Sequence, residues 1–149
     1  MEKVYEYFIA CTPGRLWDAI TNPATQAHYS FGSEVTSEWT AGSPLVITAR
    51  GGDLRLAVGD VLEAVPPKRL MHTLAGLWSH EVRAAGASRV TWEIEPVVAE
   101  SCRLVVTHDH LRYGDSSELY RAWPMILSGL KTWVECGRVL TTPGSLRRG

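Results

Sequence analysis

Apolar and polar positions change period twice along this 149-residue chain. The first stretch, "KVYEYFIA" over 3 to 10, is rich in aromatic and β-branched residues and predicts a strand. "CTPGRLWDAITNPATQAHY" then turns helical. Thr12 can cap, Pro13 fits a first helical turn, and Leu16, Trp17 and Ile20 fall on one face. Asn22 and Pro23 repeat the cap-then-proline signal, so a second short helix is expected toward Tyr29. From Glu34 to about Leu111 come strands: "EVTSEW", "SPLVITA", "LRLAVGDVLEAV", "RLMHTLAGLWS", "SRVTWEIEPV" and "SCRLVVTHDHL". The turn residues between them, Ala41-Gly42, Gly51-Gly52, Pro66-Pro67, "AAGA" and "AES", are short connections of the kind that join antiparallel neighbours.

Parity assigns faces. Val90, Trp92 and Ile94 share one side of their strand, against Thr91, Glu93 and Glu95. In the next strand Cys102, Leu104, Val106, His108 and His110 share a side, and Arg103, Val105, Thr107 and Asp109 form the wet one. A final helix is expected from about Ser116 to Cys136, with Asp115 and Glu118 at capping-box spacing and Gly137 as its stop. It would be roughly 30 Å long. Leu119, Trp123, Ile126, Leu127, Leu130, Trp133 and Val134 form its apolar face. Pro124 predicts a bend there, or a helix that effectively begins near Arg121. A single domain over 1–140 with a loose tail over 141–149 follows from this pattern.

Composition narrows the partners. Hydrophobic residues make up 45% and charged residues 21%, as in an ordinary globular domain, and the formal net charge is −1. Without a basic stripe, nucleic acid is not an expected partner. No long apolar run marks a signal or a membrane span, so a cytoplasmic location is expected and a membrane is not. The cysteines Cys11, Cys102 and Cys136 are odd in number, widely spaced and set in apolar segments, which fits buried reduced thiols better than disulfides or a zinc knuckle.

The motifs "TPGRLWDAIT", "SEWTAG", "GDVLEAVPPKRL", "SRVTWEIEP", "CRLVVTH" and "WPMILSGLKTWVECG" span nearly the whole chain in one order. In that order the chain resembles the START-like, helix-grip superfamily, also called SRPBCC, and more closely the branch named after the activator of Hsp90 ATPase, the AHSA-like proteins. The resemblance implies an α+β fold in which a curved antiparallel sheet wraps a long C-terminal helix, with two short helices after the first strand and an internal cavity. It also implies a bacterial single-domain protein. Gly129 would let the helix backbone approach its neighbour closely, and Trp123 and Trp133 would fill the wider parts.

Three chemistries compete for that cavity. On one strand face, His108 and His110 form an H-x-H pair that could offer two ligands to a metal, with His72 or Cys102 as a third. No second motif completes such a site, so neither metal nor cofactor is expected. There is no G-x-S-x-G, phosphate loop or activated cysteine. "RGGDLR" reads as a hairpin turn. Since related helix-grip proteins include polyketide cyclases and dehydratases, the resemblance leaves open an acid/base role for His108, facing Asp60 or Tyr120. The six tryptophans favour binding over catalysis, because an indole combines a large apolar area with one donor.

The leading expectation is therefore a non-catalytic carrier or sensor of a hydrophobic, aromatic or lipid-like small molecule. Its ligand-binding residues would be Trp92, His108, Trp123 and Leu127, then Trp39, His72 and Leu130. The alternatives are a cyclase- or hydratase-like enzyme using His108, and an interaction or co-chaperone-like module that pairs with a protein or forms a homodimer through a sheet edge or the Trp78 region.

Overall fold

The computed structural model describes residues 1–112, 115 and 117–141. Seven strands, β1 (Lys3–Ile9), β2 (Glu34–Ser37), β3 (Pro44–Thr48), β4 (Arg55–Val65), β5 (Arg69–Gly76), β6 (Ala87–Pro96) and β7 (Cys102–Asp109), form one antiparallel sheet. Its order is β1-β7-β6-β5-β4-β3-β2. Helices α1 (Pro13–Thr21) and α2 (Pro23–Gln26) follow β1, and α4 (Trp123–Cys136) ends the described fold. This is the α+β helix-grip arrangement expected from the sequence.

Local chemistry starts the early helices as anticipated. Thr12 Oγ1 accepts from Arg15 N at 3.3 Å and Asn22 Oδ1 from Ala24 N at 3.0 Å, each ahead of a proline whose missing N–H costs nothing there. The last helix starts later than the capping-box spacing implied. Asp115 Oδ2 accepts from Arg112 N at 2.8 Å, Ser117–Leu119 make a 3-10 turn, and α4 begins at Trp123 with no side-chain cap. Pro124 sets this boundary: a helix running through it would lose an N–H and press the ring on the carbonyl of Tyr120. Gly137 ends α4 in the left-handed region at φ 69°, its N–H donating to Trp133 O at 2.8 Å.

Three further departures have local causes. "SHEVRAAG" is not a strand end and turn but a helix, α3 (His80–Ala85), capped by Ser79 Oγ accepting from Val82 N at 3.2 Å. The strand expected to reach Trp39 stops at Ser37, where Trp39 turns left-handed at φ 57° and its N–H donates to Ser37 Oγ at 3.0 Å. Cys136 is exposed, whereas Cys11 and Cys102 are buried, the Cys102 thiol donating to Cys11 O at 3.0 Å. Burial pushes both inner thiols up, Cys11 to about 11, so they are inert packing groups at neutral pH. From 142 on, the tail expected to be loose lies outside the described residues.

The concave face carries the core: Leu70, His72 and Leu74 from β5, Val90, Trp92 and Ile94 from β6, and Cys102, Leu104, Val106 and His108 from β7 are all buried. Against them pack Leu127, Leu130 and Val134 of α4 and Leu16 and Ile20 of α1. α4 also covers the free edge of β1. Lys131 Nζ donates to Phe8 O at 2.7 Å, and Glu135 Oε2 accepts from Ala10 N at 2.7 Å, so helix side chains satisfy edge groups that would otherwise pair with another chain. Gly129 is the close-approach residue, but its neighbour is Tyr29 after α2 rather than the sheet, with an added Cβ meeting Tyr29 Cβ at 3.2 Å.

β4 slips its register against β5 between Val61 and Glu63, an irregularity of the kind that increases local twist. Asp60 N donates there to the Thr73 hydroxyl at 2.9 Å, and a Cβ on Gly59 would lie 2.1 Å from Thr73 O. Backbone must move to admit it, so Gly59→Ala is expected to cost about 2–3 kcal/mol. Gly14→Ala, which meets nothing within 4 Å in α1, should instead gain about 0.5–1 kcal/mol. Urea midpoints of both variants check this pair; an unchanged midpoint for Gly59→Ala contradicts the close approach.

Candidate functional site

Between the concave sheet, the α2–β2 segment and the start of α4 lies a cavity of about 480 Å³. Most of its wall is apolar or aromatic. Tyr29, Phe31, Trp39, Trp78, Trp92 and Trp123 contribute rings, and Leu45, Ile47, Leu70, Leu74 and Ile126 the aliphatic surface. Two of the aromatic residues, Phe31 (φ 55°) and Trp39 (φ 57°), hold left-handed backbone that costs roughly 1–2 kcal/mol each for a bulky side chain. Trp78 is 39% exposed and stands at the rim, with Glu118 and Arg121 nearby in the lining and paired at 3.7 Å.

Of the residues expected to bind ligand, Trp39, His72, Trp92 and Trp123 line this cavity. His108, Leu127 and Leu130 do not. All three are fully buried beneath the wall, because the face of α4 that carries Leu127 and Leu130 is packed into the sheet and helix core rather than toward the opening. Residues that the sequence reading passed over are Gln26, Tyr29, Phe31 and Ser33, from the segment after α2. The local signal was a buried-looking glutamine and tyrosine at the end of a helix too short for periodicity to orient.

The two buried histidines have defined tautomers. The Trp92 indole N–H donates to His72 Nε2 at 3.1 Å, so His72 must carry its proton on Nδ1 and give it to Thr73 O at 2.8 Å. The Trp123 N–H donates to His108 Nδ1 at 3.0 Å, leaving His108 Nε2–H to donate to Ser88 Oγ at 2.7 Å, whose hydroxyl in turn donates to Leu74 O at 3.0 Å. Each imidazole is neutral and fully used. Burial drives both far below the ordinary histidine range, to about 4, and their mutual proximity adds to the effect at His108.

This arrangement alters the chemistry expected of His108. Its basic nitrogen is occupied by an indole donor and it has no exposed surface, so it cannot reach a molecule in the cavity. Asp60 is exposed on β4, and Tyr120 is not a hydrogen-bond partner of His108, whose partners are Trp123 and Ser88. His110 lies beyond the end of β7, exposed and left-handed at φ 59°, so the H-x-H pair does not share a face. Among the described residues no three His, Cys, Asp or Glu side chains are grouped to hold a metal. No helix among them is long and apolar enough to cross a membrane.

The buried histidines make folding pH-dependent. Both folded-state values lie below the ordinary 6.5, so the unfolded chain takes up protons that the folded chain refuses. Stability is complete above about pH 6.5 and is lost as pH falls toward 4, by at most about 2 kcal/mol per histidine between pH 7.5 and 5. Urea unfolding at those two pH values should show the lower midpoint at pH 5; equal midpoints contradict the buried neutral pair.

Comparisons with known proteins agree with this architecture. A family profile described as Activator of Hsp90 ATPase homolog 1-like protein matches residues 10–135. A comparison with curated protein sequences gives no match. Similar solved structures include CalU16 from Micromonospora echinospora, at 19% identity and a TM-score of 0.71 over 99% of this chain and 80% of that one. PFC0360w, an HSP90 activator from Plasmodium falciparum, is 18% identical with a TM-score of 0.72 over 90% of this chain and 96% of that one. The Aha1 dimer from Colwellia psychrerythraea is 16% identical, with a TM-score of 0.71 over 92% and 98%. These identities speak for the fold alone. With its sheet, its gripping helix and a profile match across most of its length, the chain belongs to the Activator of Hsp90 ATPase homolog 1-like family, within the START-like helix-grip proteins.

Proposed function

We propose that this protein binds a small, largely apolar molecule inside the sheet–helix cavity, as a carrier or sensor rather than a catalyst. The observation that carries the reading is the cavity itself: about 480 Å³, walled by six aromatic side chains, with its imidazole and two of its indole N–H groups already committed to each other or to the core. A ligand entering it would meet broad apolar surface and few polar groups to desolvate, the usual character of small-molecule sites. The tight commitment of His72 supports binding over acid/base work, since a proton carrier needs a nitrogen it can release.

Titration with the neutral fluorophore N-phenyl-1-naphthylamine tests this. A saturable one-to-one enhancement at micromolar concentration, with quenching of protein tryptophan emission, is expected. Ile126→Trp, which adds bulk at a half-buried lining position, should weaken it at least tenfold. Absence of saturable binding up to the solubility of the probe contradicts the proposal.

A further inference from the structure

The polar groups of the lining that remain both exposed and unspent are donors. Deeper in the wall the hydrogen bonds are closed: Tyr29 gives its hydroxyl proton to Ala19 O at 2.9 Å, Trp92 and Trp123 give their N–H groups to histidines, and His72 uses both ring nitrogens. The acceptor left without a partner, Gln26 Oε1, is itself buried. Trp39, Trp78 and Arg121 differ. Each lines the cavity and keeps part of its surface in solvent, and neither the two indole N–H groups nor the guanidinium makes a hydrogen bond among the described residues.

Local structure sets their places. Trp78 follows β5, where a Cβ on Gly76 would lie 2.8 Å from Trp78 Cζ3 and 3.0 Å from Cη2. The benzo edge therefore rests on Gly76, which leaves the pyrrole N–H at the other end of a ring that is 39% exposed. Arg121 lies between the 3-10 turn and α4, with 57% of its side chain exposed. Its ion-pair partner is Glu118 at 3.7 Å, too far for a hydrogen bond, and Glu118 is engaged elsewhere as well. Among the described residues these two are the charged side chains of the lining. The donors of a permanently charged guanidinium are thus left for another acceptor.

A carboxylate suits such a rim. Sunk into the aromatic wall it would lose its hydration with no charge to replace it, whereas at the rim it keeps water on one side and meets a planar fork that matches its two oxygens. An ammonium in the same place would meet a like charge, and a second charge on the ligand would have to enter the wall.

Resting on the reading of the cavity as a ligand site, we infer that its ligand is an apolar molecule with a single carboxylate, which Arg121 holds at the rim while the hydrocarbon body lies against the aromatic wall. Affinity then comes from apolar burial, and orientation and selectivity from one charge.

The test compares 1-pyrenebutyrate with its methyl ester, which keeps the ring and chain and loses the charge, and with 1-pyrenebutylamine, which reverses it. The wild-type protein is expected to bind the acid about threefold or more tightly than the ester, despite the greater hydrophobicity of the ester, and to bind the amine most weakly. Added salt should weaken the acid and leave the ester unchanged. In Arg121→Gln the preference should disappear through loss of affinity for the acid alone, and Arg121→Lys should retain most of it. An acid that binds no more tightly than the ester, a preference that survives Arg121→Gln, or an amine that binds best would overturn the inference and leave the cavity reading standing. Binding of N-phenyl-1-naphthylamine without binding of the acid overturns it in the same way. If neither N-phenyl-1-naphthylamine nor any pyrene binds, the cavity reading falls and this inference falls with it.

Discussion

The contact on which the rest of the structure depends is the hydrogen bond from the Trp123 indole to His108, 3.0 Å long and wholly buried. It joins the first turn of α4 to β7, and the chain continues through Ser88 on β6 to the carbonyl of Leu74 on β5. The helix it anchors has no side-chain cap and begins one residue before a proline, so little in its own sequence fixes where it starts. A directional link across three central strands supplies what the helix lacks. The Trp92 to His72 bond runs beside it on β6 and β5, and the two indoles meet edge to face with centroids 5.4 Å apart. A buried polar network stabilises a fold when its donors and acceptors are used, and in these two linked histidine–indole pairs the ring nitrogens, the indole N–H groups and the Ser88 hydroxyl all are.

That closure has two consequences for function. It spends the protons of both histidines inside the wall, which removes the acid/base chemistry that their burial would otherwise invite. It also turns the indoles so that their polar ends point inward to the core while Trp92 and Trp123 still contribute to the cavity lining. The polar network is thus the back of the cavity rather than its reactive centre. Another part of the lining is built by Phe31 and Trp39, from connections whose left-handed backbone places an aromatic side chain in the wall.

How much of this was legible in the sequence divides along physical lines. The strand faces followed from strict alternation, as in Cys102, Leu104, Val106 and His108, and the early helices from Thr12-Pro13 and Asn22-Pro23, because those signals are local. The motif order carried the family. What could not be read was pairing across distance. His108 was correctly placed on the inner face, but parity cannot distinguish a residue in the lining from one beneath it, and only the position of Trp123 decides that. Leu127 and Leu130 lie on the apolar face of α4, and helical period likewise cannot separate a lining position from a core one; both belong to the core. Helix α3 was hidden by its shortness, six residues between a strand and a glycine, although Ser79 and Gly86 mark its ends.

The six tryptophans allow the central claim, that this cavity receives a small apolar molecule, to be measured in one spectrum. Trp39, Trp78, Trp92 and Trp123 line the cavity, whereas Trp17 lies outside it and Trp133 stacks on His28 at 3.9 Å. In an indole ¹⁵N–¹H correlation spectrum titrated with N-phenyl-1-naphthylamine, the first four resonances should shift together with one dissociation constant while those of Trp17 and Trp133 stay in place. Shifts confined to Trp17 or Trp133, or none at saturating probe, would contradict the account.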